Sequence, residues 1–449
     1  MFRVLFYTIL TGSAMFASEF QVGLATRVIN PREPIYMSGY AGRKHPSDGV
    51  LLDIKAKAMV IRHQGGSQAA IVTMDLIGIP RALADVVSAR VEKQYGIERA
   101  RLMLNCSHTH TAPLVGSNLQ NLFDLAPADR RVVDEYARNL ADTLVDLVGA
   151  AIGDLKPADL WFGNGQAHFG INRRQMGAKG VIIGLNPDGP TDPDVPVLKV
   201  TSPDGRVRAL LFGYACHNTT LTAEFYQVSG DYAGFAQADV EKAHPGAVAM
   251  FMELCGADQN PNPRSKLEFA EQHGRELASA VNGVAEARMT RVSGPVRAAF
   301  QTVDLAFAHH TRSTFEAEAQ DKNPWRARNA RNMLKAYDEG RPIRTYPYPV
   351  QAIAIGKDVT IVALGGEVVV DYCLRIKKEY GAKGIIVAGY SNDVMAYIPS
   401  ARVLKEGGYE TNDSMVYYSQ PGPWAADVED RVMETVHQVA KRVGKKPAR

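Results

Sequence analysis

Cysteine is scarce in this chain, four in 449 residues, at positions 106, 216, 255 and 373. Their spacing excludes a zinc ribbon and a thioredoxin-like pair. Three lie inside apolar runs and read as buried thiols. An excess of one charge is missing too: 51 Lys and Arg against 48 Asp and Glu leave a formal net charge of +3. With no Lys/Arg stripe either, nucleic acid is excluded as a partner. No apolar run beyond the N-terminus is long enough to span a bilayer. Internal repeats and low-complexity linkers are absent, so nothing in the composition divides the chain. What remains is the composition of a globular protein, 46% hydrophobic and 22% charged, long enough to bury a large core. Arg3, the mostly apolar stretch over 4–16 and Ala17-Ser18 read as a signal peptide over 1–18, removed on export to the periplasm or beyond.

What is present points to metal or proton chemistry at strand ends. The segment Asn105-Cys106-Ser107-His108-Thr109-His110-Thr111-Ala112-Pro113 follows a short apolar run. On a strand, residues two apart share a face. The spacing therefore predicts that His108 and His110 stand side by side where a strand gives way to a loop. His217 ends a second apolar run, over 209–216. Two such ends can converge on one ion, and neutral imidazole is a good zinc ligand. Glu367 follows Gly365-Gly366 at a third strand end. It reads either as a first-turn helix residue favoured by the dipole, or as the carboxylate of a two-His, one-carboxylate set with an open position. Arg173-Arg174 reads either as a solvated loop or as a fork for a carboxylate or oxyanion. Tyr397 and Tyr409 are packing residues or phenol donors. Ser229-Gly230-Asp231-Tyr232 reads as a helix cap, and Gly256-Ala257-Asp258-Gln259-Asn260-Pro261 as a polar turn.

Periodicity predicts strands over 55–61, 69–76, 101–104, 158–164, 197–200, 207–214, 247–254 and 384–389, with a strand pair inside 350–364. It predicts helices over 81–95, 130–152, 231–244, 267–288, 368–380 and 425–442, and a charged helix over 314–337 interrupted near Pro324. The Gly-, Pro- and Asp-rich stretch 180–196 reads as a loop. Strands and helices alternate, so the class is α/β: mixed β-sheets flanked by helices, in a single catalytic domain over 19–449.

Taken in order, the segments resemble the catalytic domain of the neutral/alkaline ceramidase family. The pieces are Met37-Ser38-Gly39-Tyr40-Ala41, Ser107-His108-Thr109-His110, Ile171-Asn172-Arg173, His217-Asn218, Ser229-Gly230-Asp231, Gly256-Ala257-Asp258, Gly365-Gly366-Glu367, and Tyr397 with Tyr409-Glu410. The resemblance runs from about residue 20 to the C-terminus. It implies hydrolysis of the amide of N-acylsphingosine with one zinc, held by His108, His217, Glu367 and Tyr397. It also implies that Gly39, His110, Arg173 and Tyr409 surround the scissile amide. Two departures stand out. Gln259 occupies the place of a serine in the family's Asp-x-Ser-Pro-Asn turn, and the C-terminal immunoglobulin-like domain of full-length members has no counterpart after the last motif. The expectation is an exported zinc amidohydrolase with a lipid or small-molecule N-acyl amide as substrate and at most peripheral membrane contact. A zinc amidase or esterase for non-lipid substrates is the second reading, and a binding protein with lost catalysis the third.

Overall fold

Strands buried on both faces read as continuous apolar runs, and here such runs build two stacked sheets. A computed structural model of the chain describes residues 18–448. The signal peptide expected over 1–18 lies outside them, Ser18 apart. In the longer sheet the strands run in the order Val248–Glu253, Val207–Tyr214, Asp194–Thr201, Lys156–Gln166, Phe20–Val28, Lys55–His63, Gln68–Met74 and Leu102–Cys106. The second sheet contains Val296–Ala306, Thr345–Ile355, Val359–Leu364 and Ile385–Ala388.

The two-residue period of a strand sorts the side chains into layers. Ala56, Ala58 and Val60 pack with the helices Arg81–Tyr95 and Pro127–Gly153. Met59 and Ile61, which alternate with them, pack against Ile353, Ile355 and Ile361 of the second sheet. That sheet's far face, with Val350, Ala352 and Val362, is covered by the helices Val370–Tyr380 and Val428–Arg442. At the other end of the long sheet, Leu210 and Phe212 pack with Asp231–Ala243 and Leu267–Glu286. The layers are therefore helix, sheet, sheet, helix, a mixed α/β architecture as the sequence implies. Among the described residues, no helix is long and apolar enough to cross a membrane.

Within these two sheets three strand pairs are parallel: Gln68–Met74 with Leu102–Cys106, Val207–Tyr214 with Val248–Glu253, and Val359–Leu364 with Ile385–Ala388. One member of each runs, at its C-terminal end, into His108, His217 or Glu367. Ligand sites of open α/β sheets lie outside these ends. Asn105 ties the ends together. Its Nδ2 donates to Glu253 O at 3.2 Å and Gly389 O at 2.9 Å, and its Oδ1 accepts from Glu253 N at 3.0 Å. One side chain thus joins both edge strands of the long sheet and the loop leaving the second.

The structure departs from the sequence reading at several elements. The stretch 180–196 is not all loop: Gly180–Asn186 is a strand, and Asp194 already begins the next. Gly180–Asn186 pairs only with Gly170–Gly177, and it leaves Ile182, Ile183 and Leu185 half exposed, so no apolar-in alternation marks it. The strand Val296–Ala306 was not foreseen, because small and polar residues interrupt its apolar ones. The first histidine strand ends at Cys106. His108 has already turned to φ 61°, in the left-handed region, so strand alternation is not what pairs His108 with His110.

Candidate metal centre

His108, His110 and His217 come together in the core of the molecule, their ring nitrogens mutually within 4.8 Å. The hydrogen bonds of two of these rings fix where their protons sit. His108 Nδ1 is 2.7 Å from Ile77 O, and His217 Nδ1 is 2.9 Å from Gly256 O. A carbonyl oxygen only accepts, so Nδ1 carries the hydrogen, and Nε2 of the neutral ring carries a lone pair. Both Nε2 atoms face Glu367 Oε2, at 3.0 and 3.1 Å. Three acceptor atoms therefore point at one another, and Glu367 Oε2 finds no donor among the described residues. Such an arrangement calls for a cation between them. Tyr397 adds its phenol oxygen 3.2 Å from His217 Nε2. Four ligands each about 2.0–2.2 Å from a tetrahedral ion stand about 3.3–3.6 Å apart, slightly wider than these gaps, so these residues fit a small divalent metal.

The electrostatics agree. Burial, then the nearby Arg173, pushes His217 down to about 3. Burial and its neighbours His108 and His217 hold His110 well below its usual value. A neutral imidazole, as at His110 and His217, is the protonation state a metal requires of a histidine.

A cavity of about 190 Å³ opens onto this group, lined by Gly39, His108, His110, Glu367, Tyr397, Tyr409 and Tyr418, with Leu119, Leu122 and Tyr417 on its apolar side. Gly39 sits at φ 97°, and a Cβ there would lie 2.3 Å from His110 Nδ1, so only glycine lets the ring stand where it does. His110 differs from the other two histidines. Its Nδ1 has no hydrogen-bond partner among the described residues, and its Nε2 is 3.1 Å from His108 Nε2.

Arg173 is buried, so it does not stand in a solvated loop. Its Nε donates to Glu410 Oε1 at 2.8 Å, Nη1 to Asn260 Oδ1 at 3.3 Å and Nη2 to the Tyr397 phenol at 3.1 Å. Its guanidinium lies 5.7 Å from the centre of the Tyr409 ring. Glu410 also pairs with Arg174, so the strand Gly170–Gly177 is bolted to the segment that carries Tyr409.

Other strand-end residues are brought close but serve the frame. Asp258 accepts from Val370 N at 2.8 Å and Asn172 Nδ2 at 3.2 Å. Gln259 is buried and accepts from Asp192 N at 3.2 Å; its side chain is not part of the cavity wall. Asn392 accepts from Leu104 N and donates to Gln351. Asp231, expected as a helix cap, is the helix's first residue at φ 50°, and its carboxylate accepts from Leu221 N at 2.8 Å, fixing the loop after His217.

Three residues of the site escaped sequence reasoning. Tyr418 donates to Glu367 Oε1, which turns Oε2 toward the histidines. Glu253 is wholly buried and takes Cys216 N at 3.0 Å and Asn218 Nδ2 at 3.1 Å, one on each side of His217. Arg43 donates to His110 O and Ser38 O, both at 2.7 Å. Glu253 carried a signal, a carboxylate closing an apolar strand; Tyr418 and Arg43 stand in no recognisable pattern.

Comparison with known proteins places this geometry in a lineage. Residues 20–301 match the N-terminal region of the neutral/alkaline non-lysosomal ceramidases. The neutral ceramidase of Pseudomonas aeruginosa is 25% identical over 236 residues, covering 50% of this chain and 34% of that protein. The neutral ceramidase of Mycobacterium tuberculosis is 22% identical over 487 aligned positions, covering 90% of this chain and 74% of that one. The crystal structure of the Pseudomonas aeruginosa neutral ceramidase shares the fold, with a TM-score of 0.73 at 19% identity over 95% of this chain and 75% of the other. The match over 20–301 takes in both histidine segments and Arg173, and so this chain belongs to the neutral/alkaline non-lysosomal ceramidase family.

Proposed function

We propose that residues 19–449 form a zinc-dependent amidohydrolase that cleaves N-acyl amides, ceramide-like lipids among them. The observation that carries this reading is the convergence of two Nε2 lone pairs on Glu367 Oε2 at 3.0 and 3.1 Å. His108, His217, Glu367 and Tyr397 would hold the ion. His110 is left out of that set because its Nδ1 has no partner among the described residues to orient the ring, as a carbonyl orients His108 and His217. A bound zinc supplies a water of lowered pKa and polarises the amide carbonyl.

The chain's own residues do the rest. His110 is neutral and stands in the cavity wall, so it takes the proton of the attacking water and delivers it to the amide nitrogen as the C–N bond breaks. Tyr409 lines the same cavity, and its O–H would stabilise the tetrahedral oxyanion. Arg173 acts through Tyr397: with all three nitrogens engaged, its charge lowers the cost of ionising that phenol. Gly39 keeps the wall open beside His110. The leader over 1–18 makes export part of the proposal.

The deciding experiment is metal content per chain on protein purified without added metal, together with hydrolysis of N-acyl amides. About one zinc per chain, lost in His217→Ala, and release of free acid are the expected results. A metal-free protein that takes up no zinc would leave the binding-protein reading in front. The modest volume of the cavity favours a second reading within the same chemistry, an amidase for small N-acyl substrates.

A further inference from the structure

We propose that Arg43 is the positioning residue of the His110 ring, holding it through the backbone so that the ring needs no anchor at Nδ1. This rests on the amidohydrolase reading above, in which His110 moves the proton. A carbonyl at Nδ1 orients His108 and His217, whereas His110 Nδ1 has no partner among the described residues. The orientation of this ring therefore comes from its backbone and from what packs on it.

Arg43 ties that backbone down. Its Nη1 donates to His110 O and Ser38 O, both at 2.7 Å, and to Met37 O at 3.3 Å. Its Nη2 donates to Phe225 O at 3.1 Å. One guanidinium thus joins His110, the loop that carries Gly39 and Tyr40, and the loop that follows His217. Gly39 and Tyr40 flank the ring: a Cβ on Gly39 would collide with it, and Tyr40 meets it edge-on with ring centres 5.0 Å apart. Ser38 N also donates to Ala112 O at 3.0 Å, which stitches the same loop to the chain leaving His110. Arg43 is buried, and its hydrogen bonds all go to main-chain carbonyls. The Tyr40 and Tyr226 rings, centred 5.1 and 5.9 Å from its guanidinium, ease the burial of its charge. A planar fork spans three segments; a lysine, a single point of charge, reaches fewer of these carbonyls.

The test is a double-mutant cycle of Arg43→Met with His110→Ala. Arg43→Met should keep about one metal per chain and lose about 10²-fold in kcat, with KM little changed. Added to His110→Ala, it should change kcat by less than about twofold, because the ring it acts through is already gone. Equal losses in both backgrounds, or full activity in Arg43→Met, would take Arg43 out of this role. Nuclear Overhauser contacts give a readout without turnover. The contact between the Tyr40 and His110 rings should vanish in Arg43→Met, while that between His108 and Tyr390, with ring centres 4.4 Å apart, should persist. Both persisting, or both vanishing, would overturn the positioning role. If the wild type cleaves no amide, the amidohydrolase reading falls, and the ring contacts alone decide whether Arg43 places His110. Should Arg43→Met not fold, Arg43→Lys goes through the same assays, with a smaller loss and the same dependence on His110 expected.

Discussion

His108 hands its Nδ1 hydrogen to Ile77 O, whereas His110 Nδ1 has no partner among the described residues. That one difference separates their expected behaviour. His217→Ala should lose the metal and with it activity. His110→Ala should keep about one metal per chain and lose about 10²–10⁴ in kcat. Elemental analysis beside single-turnover rates checks both, and metal loss in His110→Ala would put that ring among the ligands. A different residue answers to pH. Burial pushes Asp393 up to about 7, against 3.8 for the free side chain, while Tyr346 hydrogen-bonds the carboxylate and opposes the rise. A carboxyl raised on folding holds a proton that the unfolded chain releases. Its contribution is whole below about pH 4 and is lost as pH climbs through 7, a change of order 4 kcal/mol. Asp393→Asn, neutral at every pH, should therefore match the wild type near pH 4 and melt a few degrees higher at pH 8. Equal melting differences at both values would show that Asp393 ionises normally.

The strand Leu102–Cys106 does more for the site than present the histidines that follow it. Through Asn105 it holds Glu253 and Gly389 in place, and Glu253 in turn grips the residues on both sides of His217. Asn105→Ala should cost about 2–4 kcal/mol, since it strands the Glu253 N–H and two carbonyls in the core. A lowered urea midpoint with an unchanged slope would show it, and metal affinity should fall with it, because His108 and His217 lose a common anchor. A variant as stable as the wild type would mean water fills the gap. Much of this level was legible in the sequence. Apolar runs marked the strands buried on both faces, and the glycines before Glu367 marked a sharp turn at a strand end. Legibility failed where burial was one-sided or absent, as in the exposed Gly180–Asn186. It failed again where the backbone left standard geometry: His108 and His110 were paired by strand alternation, yet the loop at φ 61° achieves the pairing. Tyr418 and Arg43 were invisible because a hydrogen bond to one atom of a distant residue leaves no period.

At the scale of the whole molecule, the candidate ligands come from segments far apart in the chain, leaving both sheets. His108 follows one edge strand of the long sheet, His217 follows a strand near its other end, and Glu367 follows the second sheet. The cores around them are extensive and owe nothing to the ion, so the fold should stand without metal. What the ion would remove is a local conflict: two imidazole lone pairs face one carboxylate oxygen at 3.0 and 3.1 Å inside the protein. A ligand that binds only the folded state stabilises by RT ln(1 + [L]/Kd), about 2.7 kcal/mol at a hundredfold excess over Kd. With an unfolding entropy of about 2 cal/mol/K per residue, this is a shift of about 3 °C for a chain of 449 residues. Chelation should therefore lower the melting temperature by a few degrees without unfolding the protein. Zinc should restore it. Magnesium, which prefers oxygen ligands and keeps its waters, should not. His217→Ala should melt alike with and without chelator, because the site that links the sheets is already gone. If the wild type also melts alike, the three acceptors hold a proton rather than a metal, and the two-sheet frame exists for a different ligand.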